Sequence, residues 1–252
     1  MLRLSSMIKY KALSFLFLFA FNNSYAENIL VATSSNLSFV LPYITEQFYK
    51  ESGHTVVTSL GSTNRLYNQI KNGAPYDLFL SANTNAIFDL ISEGYIEEMN
   101  AFIYAEGVLV LYANFDISNL SIEEILIHTS VNKIALPNPE FAPYGFAAFD
   151  YLNNHHNYDV LRNKIVFSAN VAQSFQYTQL GVAEVSFVPL SYVIGNNTSV
   201  DNYVIINDDL YPPIAQMMGV LRNTSNKIPA LNFLTFMGTP LVQDYLVANG
   251  YN

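Results

Sequence analysis

The sequence has 252 residues, 51% hydrophobic, 14% aromatic and only 12% charged, with no cysteine, no tryptophan and a formal net charge of −9. So much Phe, Tyr, Ile and Leu excludes a disordered chain, and 11 basic residues against 20 acidic ones exclude a phosphate-neutralising nucleic-acid face. The lack of cysteine removes thiolate metal sites, disulfides and thiol nucleophiles together, and charge alone argues against an anionic ligand.

In chain order, residues 1–26 carry Arg3, Lys9 and Lys11, then the apolar run Ala12 to Phe21, then Ser24-Tyr25-Ala26 with small residues at the −3 and −1 positions. Basic, apolar, then small-x-small is the pattern of a cleaved signal peptide. The apolar run is about half of the roughly twenty residues a membrane span requires. Cleavage removes three basic residues and leaves 226 residues from Glu27 with a net charge of −12. No later segment is apolar enough to span a bilayer, and no cysteine offers a lipid anchor. A freely soluble exported chain needs an envelope to hold it, so a Gram-negative periplasm is expected.

Short apolar runs then alternate with helical-period segments. Ile29–Ala32 reads as a buried strand, and Val40, Leu41, Ile44 and Phe48 recur at helical spacing from Leu37 until Gly53. Thr55–Val57 and Asp77–Leu80 are further strands, each followed by a helix, through Leu66 and Ile70 and through Ile87 to Ile91. The alternation resumes with strands at Gly107–Tyr112, Lys133–Leu136, Ile165–Phe167 and Val185–Val188, with helices from about Gly145 and over 171–180. A strand near Ala215–Leu221 and helices near 226–237 and 239–248 close the chain. This pattern predicts α/β layers with parallel-rich sheets. The last segment is too small to fold alone and is expected to return to the first set. The organisation is therefore 27–107 plus 212–252 as one lobe and 108–211 as a second, with two crossings suited to hinge closure.

Three places set small polar residues where a strand ends and a helix begins: Thr33-Ser34-Ser35-Asn36, Gly61-Ser62-Thr63-Asn64 and Ser168-Ala169-Asn170-Val171-Ala172. Such residues are ordinary N-caps. Helix starts also expose unpaired N–H groups and the positive end of the dipole, which makes an anion site without any cation. A fourth segment, Pro137-Asn138-Pro139 to Pro143-Tyr144-Gly145, stiffens a turn and sets Tyr144 at the mouth of a helix, where its O–H can face a cleft.

These segments, with the stretch Gln69-Ile70-Lys71-Asn72-Gly73-Ala74-Pro75-Tyr76-Asp77-Leu78-Phe79-Leu80-Ser81-Ala82, resemble the periplasmic molybdate/tungstate-binding proteins of ABC importers over essentially all of residues 27–252. The resemblance implies a type II periplasmic binding protein fold, two α/β lobes joined by two hinge crossings. It implies that Ser35 and Asn36 donate from the first loop and Thr63 from the second. Tyr144 would donate its O–H and Ala172 its backbone N–H from the second lobe. One subgroup places its tyrosine after the strand at Val185; here that stretch reads Phe187-Val188-Pro189-Leu190, so the chain is similar to the subgroup with the Ala-Pro-Tyr-Gly tyrosine. The implied partners are the oxyanion and a membrane permease, with no cofactor, no metal bound as a cation and a monomeric protein.

A tetrahedral dianion that is fully deprotonated at neutral pH offers only acceptors, so a donor-only site suits it. Sulfate, phosphate or an organic acid keeps the fold and changes the ligand. A secreted hydrolase would need a nucleophile with its base, and no Gly-x-Ser-x-Gly elbow or metal-ligand helix is present. Arg65 is expected to point along its helix to solvent, His155-His156 to form a solvated pair at a helix end, and Glu97-Glu98 and Asp208-Asp209 to lie on solvated faces.

Overall fold

The computed structural model describes residues 27–156 and 158–252. The expected leader, residues 1–26, lies outside the described residues.

The chain starts with β1 (Asn28–Ser34), α1 (Leu41–Ser52), β2 (Thr55–Gly61), α2 (Thr63–Lys71), β3 (Leu78–Ser81), α3 (Asn85–Ser92) and β4 (Ile96–Gly107). It continues with β5 (Leu109–Ala113), α4 (Ile122–Ile127), β6 (Ile134–Pro137), α5 (Pro143–His155), α6 (Tyr158–Leu161) and β7 (Ile165–Ser168). Then come α7 (Val171–Gln179), β8 (Val185–Pro189), α8 (Leu190–Gly195) and β9 (Tyr203–Ile205). Finally β10 (Ile214–Leu221) precedes α9 (Lys227–Met237) and α10 (Pro240–Ala248).

Two five-stranded sheets result, ordered β2-β1-β3-β10-β4 and β7-β6-β8-β5-β9. The chain passes between them twice, from β4 to β5 and from β9 to β10. In the first sheet β1 runs parallel to β2 and β3, while β10 is antiparallel to both its neighbours. In the second, β6 is parallel to β7 and β8, and β5 is antiparallel to β8 and β9.

The first sheet is covered on both faces, which explains its continuous apolar strands. Leu78, Leu80 and Val220 pack with Ile44, Phe48 and Phe233 of α1 and α9. Phe79 and Met217 face Leu66, Ile70, Ile87 and Leu90 of α2 and α3. The second sheet packs its own core, centred on Leu111, Leu136 and Phe187 with Tyr151, Phe175 and Tyr192.

Most of the motif between Gln69 and Ala82 is architectural. Gly73 adopts a left-handed φ of 84° after α2, which favours a residue without Cβ. Asp77, buried, accepts the Leu30 N–H at 2.7 Å, the Thr224 hydroxyl at 2.5 Å and the Asn226 amide at 3.2 Å. One carboxylate thus ties β1, β3 and the returning segment together. Its three donors are all structural.

Several elements depart from the sequence pattern. The helix expected from Leu37 starts at Leu41, after a separate 3-10 turn over Ser35–Leu37. The run read as one strand over Gly107–Tyr112 is broken: Gly107 ends β4 and Leu109 opens β5, so the first crossing lies inside it. β4 itself lacks a clean alternation because its pairing with β10 shifts register twice. β9, three residues at a sheet edge, leaves no periodic trace. α4 carries a legible signal, the capping box in which Ser121 and Glu124 satisfy each other's backbone N–H groups.

One surface expectation changes, that of His156, and two gain partners. Arg65 is exposed, but its guanidinium sits 5.5 Å over the Phe141 ring, so it spans the gap between the two sheets' domains. His156 is not solvated: its side chain is 6% exposed, packed on Tyr151 and 3.7 Å from Glu123, because the chain turns extended after α5 and folds it inward. Burial accordingly lowers its pKa. Glu97 lies on a strand, 3.8 Å from Arg222 and 3.7 Å from Lys227.

Candidate ligand-binding site

The strand ends of both sheets face each other across the interlobe gap, where a narrow cavity, about 190 Å³ with its open mouth included, lies. Its walls are Ser34, Ser35 and Asn36 at the end of β1, Gly61, Ser62 and Thr63 at the start of α2, Ala82, Ala142 to Tyr144 at the start of α5, and Val171 at the start of α7. Three α-helices and the 3-10 turn therefore begin at one small space. The first-turn N–H groups of a helix have no intrahelical acceptor and lie at the positive end of its dipole. Among the described residues, no Arg, Lys, Asp, Glu or His lines the cavity. Its chemistry is that of neutral donors.

The sequence-predicted residues meet there with one displacement. Ser35, Asn36, Thr63 and Tyr144 all line the cavity. Val171 does so in place of Ala172, which is half-buried against the second core. The start of α7 is held by reciprocal bonds: Asn170 Oδ1 accepts from the Gln173 N–H at 3.0 Å, and Gln173 Oε1 accepts from the Ala169 N–H at 2.6 Å.

The hydroxyls can be counted. Ser34 Oγ and Thr63 Oγ1 are 2.6 Å apart, and the Ala82 N–H approaches both, at 3.1 and 3.2 Å. One hydroxyl proton lies between the two oxygens, so the other is left to donate into the cavity. Ser62 Oγ and Asn36 Oδ1 are buried without any partner. Unsatisfied buried polar atoms cost about 1–3 kcal/mol each; the Ser62 hydroxyl at the cavity wall marks where a ligand acceptor completes the network, whereas Asn36 Oδ1 is an acceptor that an oxyanion does not satisfy.

Tyr144 is 1% exposed, and burial, reinforced by Tyr251, Tyr104 and Tyr211, holds it well above the ordinary tyrosine range. It is a neutral O–H donor at any physiological pH. Its hydroxyl fits only because residue 107 is glycine: a Cβ there would lie 2.1 Å from the oxygen.

Contacts across the gap close the site. The Asn64 N–H donates to Phe141 O at 3.2 Å, the Tyr192 hydroxyl to Ser35 O at 2.6 Å and the Ser191 hydroxyl to Asn36 O at 3.2 Å. Phe39 wedges edge-on against Tyr192 and Phe175, with ring centroids 4.9 and 6.2 Å away. A wider recess of about 810 Å³, with Asn64, Asn83 and Phe146 in its walls, adjoins the cavity through Ala142 and Pro143. Ala142 and Pro143 are the only wall residues the two spaces share, and the starts of α2, α5 and α7 converge with the 3-10 turn at the smaller one.

Sequence reasoning missed Ser34, Ser62 and Gln216. The two serines belong to loops already singled out. Gln216 left a different signal, a lone amide inside the apolar strand Ile214–Leu221.

Comparison with known proteins agrees with this architecture. Residues 29–252 match the family described as bacterial extracellular solute-binding protein. The molybdate-binding protein ModA of Rhodobacter capsulatus is 30% identical over 226 residues, which cover 90% of this chain and 88% of that protein. ModA of Azotobacter vinelandii is 32% identical over 228 residues, 90% of each chain. The solved structure of the Azotobacter vinelandii periplasmic molybdate-binding protein superposes with a TM-score of 0.82 at 30% identity, covering 89% of this chain and 98% of that one.

Proposed function

The chain belongs to the bacterial extracellular solute-binding proteins, and from that premise we propose that it captures molybdate- or tungstate-type tetrahedral oxyanions between its lobes and delivers them to an ABC importer. The observation that carries this reading is the cavity itself, where helix starts and hydroxyls from both lobes converge without a single charged side chain among the described residues. A carboxylate in the wall would favour a protonated anion such as phosphate; donors alone favour a full dianion. The names of the relatives point the same way.

The energetics permit it. Each hydrogen bond to a charged group contributes about 1.5–3 kcal/mol net. About five to seven of them supply roughly 10–15 kcal/mol before the costs of association and closure. A sub-micromolar Kd, about −8 to −11 kcal/mol, is reachable without Arg or Lys. Ser35, Asn36, Thr63, Tyr144 and the start of α7 at Val171-Ala172 are the proposed donors.

The reading is of a binding protein rather than an enzyme, in keeping with the names of its relatives. The proposed setting is the periplasm, as a monomer that docks on a membrane permease when closed. No helix among the described residues is long and apolar enough to cross a membrane. Calorimetry of residues 27–252 against molybdate, tungstate, sulfate and phosphate tests the proposal. Sub-micromolar binding of molybdate or tungstate, with sulfate and phosphate much weaker, is expected; binding of none of the four overturns the oxyanion reading.

A further inference from the structure

Behind the cavity, a residue outside the proposed ligand contacts links two of them in a buried polar chain. Gln216, on β10 just past the second crossing, is fully buried. Its Oε1 accepts from Asn36 Nδ2 and from the Tyr104 hydroxyl, both at 2.8 Å. Its Nε2 donates to the Tyr144 hydroxyl oxygen at 3.3 Å.

The orientation of this amide follows from its partners. Two donors fill the two lone pairs of Oε1. With Asn36 presenting its N–H to Gln216, reversing the Gln216 amide alone would set two N–H groups against each other. The N–H side therefore faces Tyr144, and a phenol has one proton and an oxygen able to accept. With Gln216 on its lone pair, Tyr144 has no acceptor in that direction, and its own proton is left for the cavity that Tyr144 lines. The contact needs the space left by Gly107, since a Cβ there would come within 2.9 Å of Gln216 Nε2 as well as 2.1 Å of the Tyr144 oxygen.

We propose that Gln216 is the positioning residue of the cleft, holding the Tyr144 hydroxyl as an acceptor so that its single proton points at the bound oxyanion. Gln216 also takes one N–H of Asn36, so one neutral amide ties together cavity-wall side chains of both lobes. The inference rests on the reading of Tyr144 as an oxyanion donor. A hydrocarbon at position 216 would leave Tyr144 free to turn its proton elsewhere; a carboxylate would draw that proton away from the ligand.

Calorimetry with sodium molybdate on wild type, Gln216→Met, Tyr144→Phe and the double variant tests it. Gln216→Met is expected to weaken binding about tenfold in the wild-type background, as the loss of one oriented donor to a charge should. In the Tyr144→Phe background, where no hydroxyl remains to be aimed, its penalty should be at least threefold smaller. A penalty in wild type that is not at least threefold larger than in Tyr144→Phe overturns the proposal, because a merely structural role weakens both equally. If Gln216→Met loses its cooperative unfolding transition, Gln216→Glu replaces it under the same criterion, since it keeps the acceptor for Asn36 and Tyr104 and removes the donor to Tyr144. Wild type that binds no molybdate is a separate outcome, which overturns the oxyanion reading itself and this inference with it.

Discussion

Single residues decide the chemistry of the cavity, and they differ in what each can lose. Thr63 shares its hydroxyl with Ser34 and with the Ala82 N–H, so Thr63→Ala removes a partner from a network as well as a donor. Tyr144→Phe removes a donor to the cavity and the acceptor of the Gln216 amide. Each is expected to weaken molybdate binding by about 1–3 kcal/mol in calorimetry, as lost hydrogen bonds to a charge do. Ser62 is the sharper case because its buried Oγ has no protein partner to lose. Ser62→Ala should leave the urea midpoint of the ligand-free protein unchanged or raised, yet weaken molybdate binding; unaltered affinity would show that the hydroxyl does not meet the ligand. Thr63 was legible because a small polar residue at a strand–helix junction announces both a cap and a donor, while Ser62 beside it was read only as part of that loop. Gln216 was not legible, since in β10 only its polarity distinguishes it from its apolar neighbours, and the partner that explains it, Tyr144, is 72 residues away.

Elements were legible in proportion to how far local pattern sets them. Strands covered on both faces, such as β3 with Leu78, Phe79 and Leu80 all buried, announce themselves as apolar runs. β4 did not, because its bulged pairing with β10 breaks the alternation and that partner lies over a hundred residues downstream. The site is a product of elements too: α2, α5 and α7 aim their first turns at it because each follows a strand end in its own sheet. α4 has no such role, and its Ser121–Glu124 capping box serves stability alone. Ser121→Ala is expected to lower stability by about 0.5–2 kcal/mol, read as a shifted urea midpoint with the m-value retained. Molybdate affinity should not change, and a fall in affinity would show that α4 is coupled to the cleft.

The whole molecule sets the pH and salt response. Burial raises Tyr104, Tyr144 and Tyr251 well above the usual tyrosine range and Tyr192 to about 12. In the unfolded chain the same groups ionise near 10. Between those values the folded state holds more protons, so stability is intact below about pH 10 and falls as pH rises toward 12 and beyond; urea midpoints from pH 8 to 11 should show that decline. Salt discriminates the binding mode more sharply. Residues 27–252 carry 8 basic and 20 acidic side chains, so a dianion approaches against the overall field. A site built on Arg or Lys loses affinity as salt screens attraction, whereas here screening removes repulsion. The buried dipoles that hold the ligand act at hydrogen-bond range and are little screened. Stopped-flow association of molybdate should therefore quicken severalfold between 10 and 150 mM salt, within the ionic strengths over which the Debye length shrinks from about 30 to 8 Å. Dissociation should stay nearly constant, so affinity rises with salt. An affinity that falls over this range would mean that a cation reaches the ligand, and Arg65, held over Phe141 at the rim of the gap, would be the first residue to replace.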